Sequence, residues 1–171
     1  MALRFALIET TNTRLWDVGW FDLTRFRVDG PLHERADGGS ILAEFLRDPI
    51  AQRCFCTSPD PWGNSGELHG PFPMTRLVPD WYHRVSIDEL RHRVAAALND
   101  PQFREPPSEQ QSAPVKAWIE ALQVRGDDLF VLEAPAAPGN RVEWDVWSVF
   151  EEFVSMTRNQ DELTVVVIGY D

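Results

Sequence analysis

DLFVLE at residues 128–133, VEWDVWSVFEEFVSMT at 142–157 and LTVVVIG at 163–169 set the architecture of this 171-residue chain. The first is a short apolar run and reads as a strand. The third is apolar on both faces, as a central strand covered on both sides would be. Advancing the middle stretch by about 100° per residue gathers Val146, Val149, Phe150, Phe153 and Met156 in one arc, with Trp147 and Val154 at its edge. That periodicity predicts an amphipathic helix from Val142 to about Thr157. Strand, helix and strand at this spacing predict a right-handed βαβ crossover, with 129–132 as the parallel neighbour of 163–169.

On that helix Trp144 falls opposite the apolar arc. It shares its side with Ser148 and Glu151, and Asp145 and Glu152 flank it. A tryptophan displayed among carboxylates has the character of an interface anchor. Glu143, Trp144, Asp145, Glu151 and Glu152 are therefore the candidate partner-binding residues. The competing reading places Val142 to Trp144 ahead of the helix, with Trp144 folded back onto the loop.

Upstream, Leu3–Ile8, Leu15–Phe21 and Thr24–Val28 read as three short strands of an antiparallel meander, closed by Asp29-Gly30-Pro31. Ser40 caps a helix over Ile41–Arg47, with Ile41, Leu42, Phe45 and Leu46 on one face. Arg53–Thr57 has the character of a further strand. Residues 57–83 mix five prolines with Trp62, Phe72, Trp81 and Tyr82. The aromatic rings argue for an ordered wrap containing one short hairpin. Ser86 and Glu89 form a capping box, with Val85 and Leu90 as its hydrophobic staple. They open a helix whose apolar stripe is Ile87, Leu90, Val94, Ala97 and Leu98. A polar, proline-bearing linker over 100–112 precedes a helix from Ala113 to about Val124, capped by Ser112. The expected class is α/β (α+β): one domain over 1–171, with a mixed sheet, an N-terminal antiparallel meander, a C-terminal βαβ unit, and helices packed on the sheet.

Composition narrows the function. Sixteen Lys+Arg against 27 Asp+Glu give a formal charge of −11. That balance argues against a partner made of nucleic acid, whose phosphates need neutralising, and against anionic lipid surfaces. The excess is uneven, since residues 109–171 carry 4 basic and 12 acidic side chains. Such asymmetry steers a basic protein partner. The competing reading is a solvated surface that keeps the chain soluble. The two cysteines, Cys54 and Cys56, are two residues apart and ill placed for a mutual disulfide. Arg4 and Glu9 interrupt the N-terminal apolar run, so no secretory signal is expected, and no apolar stretch is long enough for a membrane span. The expected compartment is the cytoplasm. Fifteen arginines against one lysine, Lys116, fit a GC-rich bacterial genome.

The chemistry-bearing residues are few. Cys54, Cys56, His69 and His83 supply four soft ligands that a tetrahedral zinc site could use. Their C-x-C-x₁₂-H-x₁₃-H spacing is not that of a standard finger. They read equally as two small strand residues and two loop histidines. Cys56 with His69 or His83 and Asp60 or Asp80 would supply the parts of a nucleophilic triad, but no motif of that kind surrounds either cysteine. No catalytic residues, metal or cofactor are therefore expected. Gly38-Gly39-Ser40 is a glycine-rich helix start without a Walker A pattern and reads as a loop and cap. Asp127-Asp128 and Glu151-Glu152 read as solvated charge.

The stretch Val146-Trp147-Ser148-Val149-Phe150-Glu151-Glu152-Phe153, a turn, then Asp161-Glu162-Leu163-Thr164-Val165-Val166-Val167-Ile168 resembles the last helix and strand of barstar-like inhibitors. The resemblance covers about a quarter of the chain. It implies an acidic bacterial immunity protein that neutralises a toxin of nuclease type. Two other functions fit the composition. One is a small-ligand or metal-binding enzyme with its site under residues 57–83. The other is an adaptor or structural subunit docked through Trp144.

Overall fold

The computed structural model describes residues 3–30, 38–51, 68–100, 105–125, 128–143 and 148–170. Its elements in chain order are β1 (Arg4–Trp16), β2 (Gly19–Asp29), α1 (Gly38–Arg47), β3 (Leu68–His69), β4 (Phe72–Pro73), β5 (Tyr82–Arg84), α2 (Ile87–Leu98), α3 (Glu109–Arg125), β6 (Asp128–Leu132), β7 (Val149–Thr157) and β8 (Glu162–Tyr170). The fold is α+β: helices pack on a six-stranded sheet of order β1-β2-β8-β7-β6-β5. Every neighbouring pair in that sheet is antiparallel. β3 and β4 form a separate two-stranded hairpin. No helix among the described residues is long and apolar enough to cross a membrane.

The N-terminal antiparallel unit is present, as one long hairpin in place of three short strands. β1 and β2 pair from Arg4↔Asp29 to Trp16↔Gly19, with irregularities at Leu7/Glu9 and Arg14/Trp16. β1 is an edge strand, and Leu7 and Ile8 are exposed on it. Bulges of this kind are one way a sheet blunts an open edge.

The largest correction lies at residues 142–157. Among the described residues the expected helix does not form, and Val149–Thr157 is strand β7. It pairs with β8 on one side and β6 on the other. β6 and β8 are therefore separated by a strand, and the C-terminal unit is an antiparallel meander, not a βαβ crossover. The reason is burial on both faces. Phe153 packs on one side of the sheet, and Val154 and Met156 on the other. When both faces are apolar, the period-2 alternation that marks a strand disappears, and an arc of 100° steps is satisfied by accident.

β8 is central and covered on both sides, as expected. Val165 and Leu163 join the core under α1 and the β3–β4 hairpin, with Phe26, Phe45, Phe72, Trp81 and Phe130. Val166 and Ile168 join the core under α2 and α3, with Phe21, Leu90, Trp118, Val131 and Phe153. We call these the α1 side and the α3 side. The turn into β8 places Asp161 at φ 50, a left-handed conformation that a short polar side chain tolerates.

The helices follow their local signals with one shift. Ser86 accepts from the Glu89 backbone N at 3.1 Å, which is the expected cap of α2. α1 buries Ile41, Leu42 and Phe45. α3 starts four residues before Ala113, within the expected linker, because Ser108 caps it. The Gln111 backbone N donates to Ser108 Oγ at 3.3 Å, and Gln111 Oε1 accepts from the Ser108 backbone N at 2.8 Å. Ser112 is inside the helix and donates back to the Ser108 carbonyl at 3.0 Å.

Candidate functional site

Residues paired across neighbouring antiparallel strands share a face of the sheet. On the α1 side, Asn12 of β1, Asp22 of β2, Val167 of β8 and Glu152 of β7 are successive partners, so they form one row across four strands. Asp22 and Glu152 are each 1% exposed. Asn12 Nδ2 donates to Asp22 Oδ1 at 2.5 Å. A carboxylate so buried needs its oxygens occupied. Glu152 meets that need with residues far away in the chain. Its Oε1 accepts from the Tyr82 hydroxyl at 2.7 Å, and its Oε2 is hydrogen-bonded to His69 Nε2. His69 and Tyr82 are also buried.

The β3–β4 hairpin brings His69 to this point. Gly70 turns at φ 55 directly above the Phe150 ring, and Phe72 packs edge-on against Phe150 with centroids 5.6 Å apart. His69 is thereby held over β7 and Tyr82 reaches in from β5. The arrangement orients an imidazole with a carboxylate, the pairing that sets a histidine's tautomer and basicity.

Glu151 points to the opposite face, because successive side chains of a strand alternate. There it faces Arg93 of α2 and Glu133, which follows β6. Arg93 pairs with Glu133 and stands 3.5 Å from Glu89. His83 Nε2 lies 3.8 Å from Glu133. Three carboxylates thus surround one guanidinium. Burial pushes the Glu151 carboxyl above the ordinary carboxylate range; Arg93 pulls it down and Glu133 pushes it up. Negative charge here is only partly compensated.

Of the proposed partner-binding residues, Glu143 is exposed and Glu151 is partly exposed in this acidic cluster. Glu152 is not on the surface: it is a core residue, because in β7 it alternates with Glu151 and does not lie beside it on a helix. Trp144 and Asp145 lie outside the described residues, as do Cys54, Cys56 and Arg53–Thr57. The two histidines of the zinc reading are apart in environment, His69 in the core and His83 at an exposed edge. Among the described residues no three His, Cys, Asp or Glu side chains gather as a metal-binding set.

Asp128 also departs from the solvated reading. It is buried, paired with Arg84, and accepts from Arg158 Nε at 2.7 Å. Tyr82, Arg93 and Glu133 carried no local signal of their own. Their roles depend on β5, β6 and β7 being neighbours.

No family model and no curated protein matches this chain.

Proposed function

We propose that this chain is an acidic binding protein of the immunity or inhibitor type, which neutralises a basic toxin of nuclease type by protein–protein contact. One observation carries the reading. Glu89, Glu133 and Glu151 surround Arg93 with more negative charge than it balances, and burial, with a smaller push from Glu133, raises the Glu151 carboxyl against the pull of Arg93. A group whose charged form is disfavoured in the free protein gains from any partner that supplies a cation. Exposed Glu143 and the overall charge of −11 support the same class; the resemblance to barstar-like inhibitors keeps only its strand half, because Val149–Phe153 lie in β7. The reading places the protein in the bacterial cytoplasm, where its host needs protection. It does not depend on a helix at 142–157.

The test starts from the protein encoded beside this one. Purified, a basic product of the neighbouring reading frame should bind stoichiometrically, and its association should slow as salt is raised. Glu89→Gln/Glu133→Gln/Glu151→Gln should lower the association rate by about tenfold or more at low salt, within the range of electrostatic steering. A complex whose on-rate ignores both salt and the triple substitution would refute the acidic-cluster reading.

A further inference from the structure

Of the sheet's two edge strands, β1 has 13 residues and β5 has three. Among the described residues no strand pairs with the outer side of β1, so a row of backbone N–H and C=O groups there is open to another strand. Leu7 and Ile8 stand on this edge, 50% and 45% exposed. They are two of the four large hydrophobics left exposed among the described residues.

The irregularity between Leu7 and Glu9 arranges the charges of this edge. Arg4 is paired with Asp29 and Glu9 with Arg25, positions on β2 that are an even number of residues apart. Arg4 and Glu9 therefore lie on the same face of the sheet, the α3 side. Without the extra residue, Ile8, side chains five apart would point to opposite faces. Arg4 is exposed and makes no ion pair among the described residues. Glu9 is half-exposed and shares its cation: Arg25 Nη1 donates to Glu9 at 2.7 Å, while Nη2 donates to both oxygens of Glu162, at 2.7 and 2.9 Å. The edge thus carries a free cation and a surplus anion on one face.

We propose that a second copy of this chain pairs with β1, antiparallel and about a two-fold axis through Ala6. Ala6 then faces its own copy, Phe5 faces Leu7 and Arg4 faces Glu9, each contact being made twice. The charges select this register. An axis at Leu7 sets Arg4 against Thr11 and Glu9 against Ala6, and an axis at Glu9 sets two carboxylates together. The dimer joins two six-stranded sheets into one of twelve strands. About six residues of each strand take part, so the interface is small and the association weak. The acidic cluster around Arg93 lies toward β6 and β7, beyond β2 and β8, and stays uncovered in the dimer. This inference stands apart from that cluster, and either can fail without the other.

Sedimentation equilibrium of the full chain, from about 1 µM to about 1 mM, should show monomer giving way to dimer. Leu7→Lys should remove the dimer. Arg4→Glu opposes carboxylate to carboxylate, and Glu9→Lys opposes cation to cation. Each should weaken self-association about tenfold or more, because like charges at a cross-strand site repel and the site occurs twice. Mixed in equal amounts, the two charge variants should recover dimer at close to the parental strength, since the mixed pair opposes unlike charges at both sites. A parent that stays monomeric, charge variants that dimerise like the parent, or folded variants whose mixture stays monomeric would overturn the proposal. If Glu9→Lys disturbs the Arg25 contacts and does not fold, Leu7→Lys and Arg4→Glu, both at exposed positions, still decide the matter: a dimer that survives either one refutes it.

Discussion

Replacing Gly70 by alanine tests how the β3–β4 hairpin is seated. Gly70 has φ 55, where an L-residue costs about 1–2 kcal/mol. A Cβ built there would also stand 2.5 Å from Phe150 Cζ and 2.6 Å from Cδ2. These are separations real contacts do not reach, so the ring or the hairpin must move. Overpacking of this kind costs about 1–3 kcal/mol. The sum, about 2–5 kcal/mol, is a large share of the roughly 5–15 kcal/mol that holds an ordinary domain together. In urea the midpoint should fall by about 1–2.5 M, taking a slope of about 2 kcal/mol per M. The mechanism is separable by a double-mutant cycle. With Phe150→Ala already in place the steric part vanishes, and Gly70→Ala should cost only its conformational part of about 1–2 kcal/mol. The coupling between the sites should be about 1–3 kcal/mol. If the two substitutions add to within about 0.5 kcal/mol, the hairpin does not rest on Phe150 and the seating of His69 described above is wrong.

Three further outcomes are expected. Tyr82→Phe removes the hydroxyl that donates to Glu152 and should cost about 1.5–3 kcal/mol in chemical denaturation, the range for a hydrogen bond to a charged group; an unchanged midpoint would show that the bond contributes nothing. Ser86→Ala should destabilise by about 1 kcal/mol and speed amide exchange in the first turn of α2, and exchange unchanged there would count against the cap. Glu151 is held more protonated in the folded state than in the unfolded one, so its contribution to stability falls as pH rises from the ordinary carboxylate range through its raised value. Glu151→Gln should therefore be more stable than the parent at neutral pH and equal to it in acid; a gain that persists in acid would contradict this.

Local signals were legible where local chemistry decides. The Ser86–Glu89 box, the apolar face of α1 and the doubly covered run Val165–Ile168 are each a property of a few neighbouring residues, and each is found in place. Ser108 and Gln111 carry the same kind of signal and mark the start of α3. β7 was illegible for a different reason. Its strand character comes from having β6 and β8 beside it, and its burial on both faces erases the alternation that would reveal it. The site inherits that difficulty. Glu152 is satisfied by His69, 83 residues away, and by Tyr82, 70 residues away, so no window along the chain contains the reason it is buried. The acidic excess of residues 109–171 was visible, and so was Glu151. Its neighbours Glu89 and Arg93 come from α2, which only the fold brings near.

The strand order carries a consequence for synthesis on the ribosome. β1 and β2 are made first and can close as a hairpin at once, but the neighbour that β2 needs on its other edge is β8, made after every other strand. At roughly 5–20 residues per second, the edge of β2 that will hold β8 waits on the order of ten seconds. During that wait Thr24 and Phe26 have no β8 beside them, and β7 has nothing to pair with on its β8 side. Until residues 162–170 emerge, the nascent chain presents two open strand edges flanking one vacant slot, and its quality control has to guard that slot.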